Sequence, residues 1–365
     1  MQKIAIIGGG INGLFISWRL SKIGYEVDLY ESKKVLSQTS SSSSKLLHGG
    51  IRYLEQGHLG LVRESLLDRF WWIQNAPDYS KKIQICIPIY NWSERSLPIV
   101  YAGAQLYRTL AGRYSLGPSK FFNKKNAVST FSEISKTNLL GAVSFYDAQM
   151  DEGNLGRWVC DNTKNSGTKI YENTKIDKFT QDGELFLDNN KKQYDLIINA
   201  AGPWAADLNK KNNIKTNYYL RLIRGSHLIL EKTSHNSFLF QEPNGKRVVF
   251  VLPYLGKTLI GTTEVPQKLN EEIKCSELER NYLLCMYNKH FKDKLNQRNI
   301  ISEFSGLRPI VESNNTNAEK YFSFASREAK IEKIGKIISI YGGKWTSAPS
   351  LSKKVVKMVS KVKYD

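Results

Sequence analysis

The feature that most constrains the fold is a glycine-rich turn between a predicted strand and a predicted helix. Residues 4–7 form a short, β-branched run that suits a strand buried on both faces. The glycines that follow have the spacing G-x-G-x-x-G: Gly8, Gly10 and Gly13. Helical periodicity covers residues 11–23 and ends at Gly24, a candidate C-terminal cap, and Glu26–Tyr30 is typical of a second strand. These segments predict a β-α-β unit that binds a dinucleotide.

Each position of this unit has a physical role toward a pyrophosphate. Gly8 permits the tight turn, Gly10 lets a phosphate approach the backbone, and Gly13 lets helix and strand pack closely. The N-terminus of the helix presents backbone N–H groups to the anion. Glu31, at the end of the second strand, is placed to accept hydrogen bonds from an adenosine ribose. The motif alone does not distinguish FAD from NAD.

The overall composition indicates a globular protein of two domains. A chain of 365 residues exceeds the usual length of one domain. Neither a signal peptide nor an apolar run of about 18 residues is evident. Four cysteines without a CxxC pair fit a reducing compartment, so we expect a cytoplasmic protein. A peripheral contact with the inner face of the membrane is an alternative that the sequence allows.

The charge is strongly basic, with 53 Lys and Arg against 34 Asp and Glu and a net charge of +19. Such a field favours nucleic acid, an anionic membrane surface or an anionic ligand. The lysines are scattered in pairs and form no stripe interleaved with aromatic residues, so we predict no nucleic-acid partner. We favour a lysine-rich surface in which a few charges serve an anionic ligand.

The rest of the chain predicts two interleaved domains of an α/β protein. Strand-like segments at residues 169–191, 194–200 and 336–341 suit a Rossmann-like domain, and a second sheet-like region covers residues 215–265. We assign residues 1–80, 145–210 and 300–365 to the dinucleotide-binding domain. Residues 81–144 and 211–299 then form a substrate-binding cap built on an antiparallel sheet.

Ordered motifs along nearly the whole chain resemble the FAD-dependent glycerol-3-phosphate dehydrogenases of the D-amino-acid-oxidase-like superfamily. They include IIGGGINGL (6–14), TSSSSSKLLHGGIRYLE (39–55), YDAQMD (146–151), NAAGPW (199–204), RLIRGSH (221–227), RVVFVLPY (247–254), GTTEV (261–265), SGLRP (305–309) and YGGK (341–344). The resemblance implies FAD as cofactor and oxidation of sn-glycerol 3-phosphate at C2, with hydride transfer to flavin N5.

The resemblance also implies a set of cofactor contacts, because the family's serine-rich loop and the segment after it run along FAD. The residues carried over are Gly8, Gly10, Asn12, Gly13, Glu31, Thr39, Ser40, Ser44, Lys45, Leu46, His48, Gly202, Gly343, Lys344 and Thr346. On composition alone, residues 40–44 also fit a flexible low-complexity tract.

Further matches imply where a substrate binds and reacts. The positions that match the family's phosphate- and hydroxyl-binding groups are Arg52, Tyr53, Thr262, Arg308 and Lys344, with Arg327 as a further candidate. Hydride transfer requires a group that takes the hydroxyl proton, and the unperturbed pKa of histidine suits that role. His48 is our first choice and His227 the second, with Arg308 as an orienting and charge-stabilising group.

Two departures from the family leave the substrate open. Respiratory members continue into a helical C-terminal domain, whereas this sequence ends at Asp365, so we expect a short form. WTSAP follows Lys344 where the family usually has LTTYR, and Glu264 stands where it usually has Asp.

Three hypotheses for the function follow: a polyol-phosphate dehydrogenase; an oxidoreductase of another 2-hydroxy acid or an amine in biosynthesis; or a non-catalytic flavin-binding protein. The electron acceptor, such as quinone or oxygen, and the oligomeric state are not specified by the sequence.

Overall fold

The computed structural model describes residues 2–187, 190–243, 245–313 and 328–361. Its strands are β1 (Lys3–Ile7), β2 (Glu26–Tyr30), β3 (Leu46–Leu47), β4 (Ser80–Tyr90), β5 (Lys120–Asn123), β6 (Leu139–Met150), β7 (Lys169–Tyr171), β8 (Lys178–Phe179), β9 (Glu184–Leu187), β10 (Asn190–Gln193), β11 (Leu196–Asn199), β12 (Tyr218–Leu230), β13 (Ser237–Gln241), β14 (Val248–Tyr254), β15 (Lys257–Gly261), β16 (Val265–Pro266), β17 (Ile300–Ser313), β18 (Lys330–Ile334) and β19 (Ile337–Tyr341). Its α-helices are α1 (Ile11–Lys22), α2 (Leu59–Asn75), α3 (Leu97–Ala111), α4 (Lys124–Thr130), α5 (Glu152–Asn165), α6 (Ala205–Lys211), α7 (Glu277–His290) and α8 (Ala348–Lys361).

A Rossmann-like sheet is built around the predicted β-α-β unit. Its strand order is β18-β19-β11-β1-β2-β7, and all neighbours are parallel except the antiparallel pair of β18 and β19. Helix α1 follows β1 and buries Leu14, Phe15 and Leu20 against the sheet. The N–H of Gly24 bonds to the carbonyl oxygen of Ser21, and its φ of +93° is the left-handed conformation that glycine supplies after a helix. The predicted unit is confirmed within one residue at each end.

A larger, mostly antiparallel sheet forms the second layer. Its order is β16-β12-β15-β14-β13-β4-β6-β3, with β17 paired to β12 and β5 paired to β6. Alternation along β4 sends Ile85 and Ile87 toward α2 and α3 and sends Cys86 toward α7. Both faces are therefore covered by helices. The predicted fold class, a Rossmann-like domain with an antiparallel-sheet domain, is confirmed.

Two segments belong to the large sheet or pack against it. Strand β17 pairs with β12 over nearly its whole length and so lies in the large sheet, although the predicted boundary groups residues 300–313 with the dinucleotide-binding domain. Residues 97–111, which the predicted boundaries assign to the substrate-binding cap, form a single helix, α3. Its packing on β6 and α2 is long-range, which local periodicity does not report. The domain boundaries as a whole stay a prediction.

Candidate active site

A cavity of about 490 Å³ runs along the carboxyl ends of the Rossmann-like strands and reaches β12, β17 and Thr262, the residue after β15. Most of the predicted site residues line it: Gly8, Gly10, Asn12, Glu31, Thr39, Ser40, Ser44, Leu46, His48, Gly202, His227, Thr262, Arg308, Gly343, Lys344 and Thr346. Gly13, Lys45, Arg52 and Tyr53 lie outside its lining, and Arg327 lies outside the described residues. A cleft at the carboxyl edge of a parallel sheet is where this architecture binds ligands.

The glycine turn is shaped as a dinucleotide requires. A Cβ on Gly8 would lie 2.5 Å from the carbonyl oxygen of Ala200, and a Cβ on Gly13 would lie 1.9 Å from that of Gly8. Gly8 also has a φ of +108°, which side chains rarely adopt. Gly10, which has no side chain to cap α1, and Ile11 at the start of the helix both line the cavity. These residues fit the pyrophosphate of FAD.

Glu31 is buried at the end of β2, where its carboxylate fixes the local backbone. One oxygen accepts from the N–H of Gly9 at 2.7 Å, and the other accepts from the N–H of Lys33 at 2.9 Å and the hydroxyl of Ser32 at 3.1 Å. A carboxylate has about four acceptor positions, so three donors leave room for a ribose hydroxyl.

The serine-rich loop (residues 37–44) is held on both sides of the cavity. The Oγ of Ser40 accepts from the N–H of Ile11 at 3.1 Å, and the indole of Trp345 donates to the carbonyl oxygen of Ser40 at 2.8 Å. The loop therefore joins the start of α1 to the segment after β19. Trp345 was not among the predicted site residues, although it directly follows the matched YGGK motif.

Lys45 anchors the end of this loop instead of pointing into the cavity. Its ammonium pairs with the buried Glu152 of α5, donates to the carbonyl oxygen of Ser41 at 2.9 Å and lies 4.6 Å from the ring centre of Phe304. Burial raises the pKa of Glu152, while the charge of Lys45 opposes that shift. Any contact of Lys45 with FAD stays a prediction. Glu152 was missed, although an acid beginning a helix directly after the YDAQMD motif was a signal.

Arg308 is held at the far end of the cavity, beside Thr262. Its guanidinium donates to the hydroxyl of Thr262 at 2.7 Å and to the carbonyl oxygen of Thr263 at 2.6 Å, and it lies 3.6 Å from the carboxylate of Glu264. A Cβ on Gly225 would lie 1.8 Å from this guanidinium, so only glycine at that position of β12 leaves the space. The orientation of Arg308 is thus fixed before any ligand binds.

Lys344 and His48 also line the cavity. The ammonium of Lys344 lies 5.3 Å from the ring centre of Tyr53, which is buried behind the lining. The backbone N–H of His48 donates to the hydroxyl of Thr346 at 3.1 Å. The structure thus brings a guanidinium, an ammonium, a hydroxyl and an imidazole to one cavity.

His227 is the more buried of the two candidate histidines. Its Nε2 lies 2.8 Å from the Oγ of Ser44, and its ring stacks on Phe304. Burial, with the nearby charges of Arg308 and Lys45, holds the pKa of His227 well below its usual value. The imidazole is therefore neutral at neutral pH, and this environment opposes its taking up a proton.

A protein-family model described as "FAD dependent oxidoreductase" matches residues 3–356. The chain belongs to this family. This FAD-dependent oxidoreductase is 32% identical over 383 residues to a glycerol-3-phosphate dehydrogenase of Pseudomonas tolaasii, with 99% of the chain and 72% of the relative covered. The predicted resemblance and the predicted cofactor, FAD, are confirmed by these matches and by related structures with bound FAD.

Solved structures show the same fold at lower identity. The glycerol-3-phosphate dehydrogenase of Bacillus halodurans, complexed with FAD, has a TM-score of 0.77 at 23% identity, and the match covers 99% of this chain but 64% of that one. The L-alpha-glycerophosphate oxidase of Mycoplasma pneumoniae, with FAD bound, and the glycine oxidase of Geobacillus kaustophilus each have a TM-score of 0.75 at 17% identity, with 99% of this chain and 95% of theirs covered.

The described part of the chain contains neither a cluster of metal ligands nor a membrane-spanning helix. Within those ranges, no three His, Cys, Asp or Glu side chains come together as metal ligands would. None of the helices defined there is both long enough and apolar enough to cross a membrane.

Proposed function

We propose that this oxidoreductase oxidises sn-glycerol 3-phosphate, or a close polyol phosphate, at C2 to the ketone. The observation that supports this most is the grouping of Arg308, Thr262, Lys344 and His48 around one cavity. A phosphate is bound best by a guanidinium fork, a point charge and hydroxyl donors together. The relatives named glycerol-3-phosphate dehydrogenase point to the same substrate.

Each of these groups has a separate role in the proposed reaction. Arg308 and Lys344 bind and orient the anionic substrate, and Thr262 holds the guanidinium in place. FAD, when bound, supplies the acceptor for the hydride that leaves C2. His48 takes the proton of the C2 hydroxyl, since imidazole is the side chain whose pKa lies nearest neutrality.

One observation favours the second hypothesis, a substrate that is a hydroxy acid or an amine. The carboxylate of Glu264 lies 3.6 Å from Arg308 and 3.8 Å from Arg247, so part of the positive charge near the cavity is already balanced. A substrate carboxylate needs less positive charge than a phosphate. We rank this hypothesis below the polyol-phosphate hypothesis because Lys344 adds a further positive charge to the cavity lining.

The substrate is tested by anaerobic reduction of the FAD-loaded protein. The compounds are sn-glycerol 3-phosphate, glycerol, lactate and glycine, and loss of the oxidised flavin absorption is the readout. We expect fast bleaching by the phosphate ester alone. Bleaching by glycine or lactate alone would support the second hypothesis, and an oxidised flavin with every compound would support a non-catalytic flavin protein.

We also propose a peripheral contact with an anionic membrane. A quinone in that membrane would accept the electrons from the reduced flavin, and oxygen is the alternative acceptor. Residues 95–132 contain six Lys or Arg and no Asp or Glu. From this segment Ile99 and Leu106 of α3 and Phe121 of β5 are exposed to 62%, 41% and 51%. Apolar side chains within a basic surface complement anionic lipid.

A further inference from the structure

The backbone at His48 is held by two hydroxyl groups from distant parts of the chain. The N–H of His48 itself donates to the Oγ of Thr346 at 3.1 Å. The N–H of the next residue, Gly49, donates to the phenol oxygen of Tyr107 at 2.7 Å. The peptide groups on both sides of the imidazole therefore have fixed partners, one after β19 and one on α3.

The phenol of Tyr107 is in turn fixed by a buried ion pair. It donates to the carboxylate of Asp147 at 2.8 and 3.0 Å, and the guanidinium of Arg69 donates to the same carboxylate at 2.8 Å. All three side chains are buried. Burial raises the pKa of Tyr107 well above its usual value, with the charge of Asp147 acting in the same direction. The phenol thus stays protonated, so it donates to Asp147 while it accepts from Gly49.

The close packing around Gly49 couples the position of the Tyr107 phenol to the backbone next to His48. A Cβ on Gly49 would lie 2.5 Å from the phenol oxygen of Tyr107 and 2.6 Å from a methyl group of Leu66. Gly50 follows with a φ of +77°, which glycine adopts readily. The segment that carries His48 therefore has little freedom to shift along the cavity wall.

We propose that Tyr107, supported by Asp147 and Arg69, is a positioning residue that sets the direction of the His48 imidazole toward the substrate. This inference rests on the proposed role of His48 as proton acceptor. Tyr107 acts through the backbone and does not line the cavity. A catalytic group displaced by about 1 Å can lose roughly 100-fold in rate.

The direct test is Tyr107→Phe, with Tyr101→Phe as the matched control. Both tyrosines lie on α3, but the phenol of the half-buried Tyr101 accepts from Gln105 of the same helix at 2.7 Å. For Tyr107→Phe we expect the limiting rate of anaerobic flavin reduction by sn-glycerol 3-phosphate to fall about 10- to 100-fold. The substrate Kd should stay unchanged, and Tyr101→Phe should leave both values unchanged. A loss confined to Kd, or equal losses in both variants, would overturn the proposal.

The His48→Ala background tests whether Tyr107 acts through the imidazole. If it does, adding Tyr107→Phe to His48→Ala causes no further loss of rate, whereas independent effects would multiply. A full additional loss would overturn the proposal. If His48→Ala keeps the wild-type rate, His48 is not the proton acceptor and the proposed function is wrong on this point. The spectroscopic test below then decides separately whether Tyr107 orders the His48 ring.

Nuclear magnetic resonance of the cofactor-free protein gives a readout that is independent of turnover. The ring signal of His48, identified by its loss in His48→Ala, should shift in Tyr107→Phe and stay in place in Tyr101→Phe. Should Tyr107→Phe fail to fold, Asp147→Asn tests the same support by weakening the acceptor that holds the phenol, and the His48 signal should again shift. An unchanged His48 signal in the folded variants would overturn the proposal.

Discussion

The Nε2 atom of His227 lies 2.8 Å from the Oγ atom of Ser44, and this contact joins β12 of the large sheet to the serine-rich loop. The ring also covers Gly261, whose Cβ would lie 2.1 Å from the imidazole. His227 is therefore a packed, neutral group with a fixed partner. Under the proposed function the two histidines differ in role: His227 supports the loop, and His48 takes the proton of the substrate hydroxyl.

Replacing each histidine with asparagine should give unequal losses. His48→Asn removes the proposed proton acceptor and should lower the limiting rate of flavin reduction by about 100-fold or more. His227→Asn should have a smaller effect and leave the pH dependence near neutrality unchanged, because burial already holds the pKa of His227 far below that range. Stopped-flow reduction across pH measures both. A greater loss of rate in His227→Asn, or a displaced pH profile, would reverse the assignment.

Gly13→Ala should abolish retention of FAD. The added methyl group would lie 1.9 Å from the carbonyl oxygen of Gly8, which would open the turn that approaches the pyrophosphate. Gly103→Ala is the matched control, since it is also a helical glycine but has no atom near the added group. The control should retain FAD and gain about 0.5–1 kcal/mol of stability. Flavin absorbance per protein after gel filtration is the measurement, and full retention by Gly13→Ala would contradict the packing argument.

Glu279 should stabilise the protein in a pH-dependent way. Burial acts to raise the pKa of Glu279, but donors from Thr263, Ser276, Arg224 and Ser226 outweigh burial and lower it to about 2. A lowered carboxyl pKa gives stability that is present above the unfolded value and is lost as pH falls toward 2. Glu279→Gln should therefore reduce the free energy of unfolding by about 2–4 kcal/mol at pH 7.

The pH dependence provides the decisive comparison for this variant. The difference in Tm between Glu279→Gln and wild type should shrink as the pH is lowered below about 4. Glu277→Gln, an exposed substitution in the same helical turn, should lower Tm far less, because it removes only a helix-dipole interaction of about 0.3–1 kcal/mol. A difference in Tm that stays constant down to low pH would contradict the role assigned to the ionised carboxylate.

Ile99→Glu should weaken binding to vesicles that contain anionic lipid. The substitution places a negative charge in the exposed apolar face of α3, within a segment that has only basic charges. Leu278→Glu is the control, because Leu278 is 82% exposed but lies on α7. Co-sedimentation with vesicles at two salt concentrations measures binding. Equal binding of the two variants would argue against the proposed membrane surface.

The sequence predicted the dinucleotide unit well because its determinants are local. Gly8, Gly10 and Gly13 are needed within a few residues of one another, and the strands beside them are short and mostly buried. Part of the cavity lining came from matched motifs at strand ends, such as NAAGPW at the end of β11 and YGGK at the end of β19. Both kinds of information are contained in short stretches of chain.

The directions of individual side chains and their contacts with distant residues could not be predicted from the sequence in the same way. The ammonium of Lys45 turns away from the cavity because Glu152, more than a hundred residues later, offers a buried partner. Tyr107 was missed because its contacts form only when β6 brings Asp147 beside Gly49 and α3 packs against them. Such contacts depend on how the two sheets are assembled, and no local pattern reports them.

The most direct test of the proposed reaction uses sn-glycerol 3-phosphate and the same compound deuterated at C2. Under anaerobic conditions, we predict that both reduce the bound FAD and that the deuterated substrate does so several times more slowly, because the C2–H bond breaks in the measured step. A flavin that stays oxidised with both compounds but is bleached by glycine would contradict the proposed substrate.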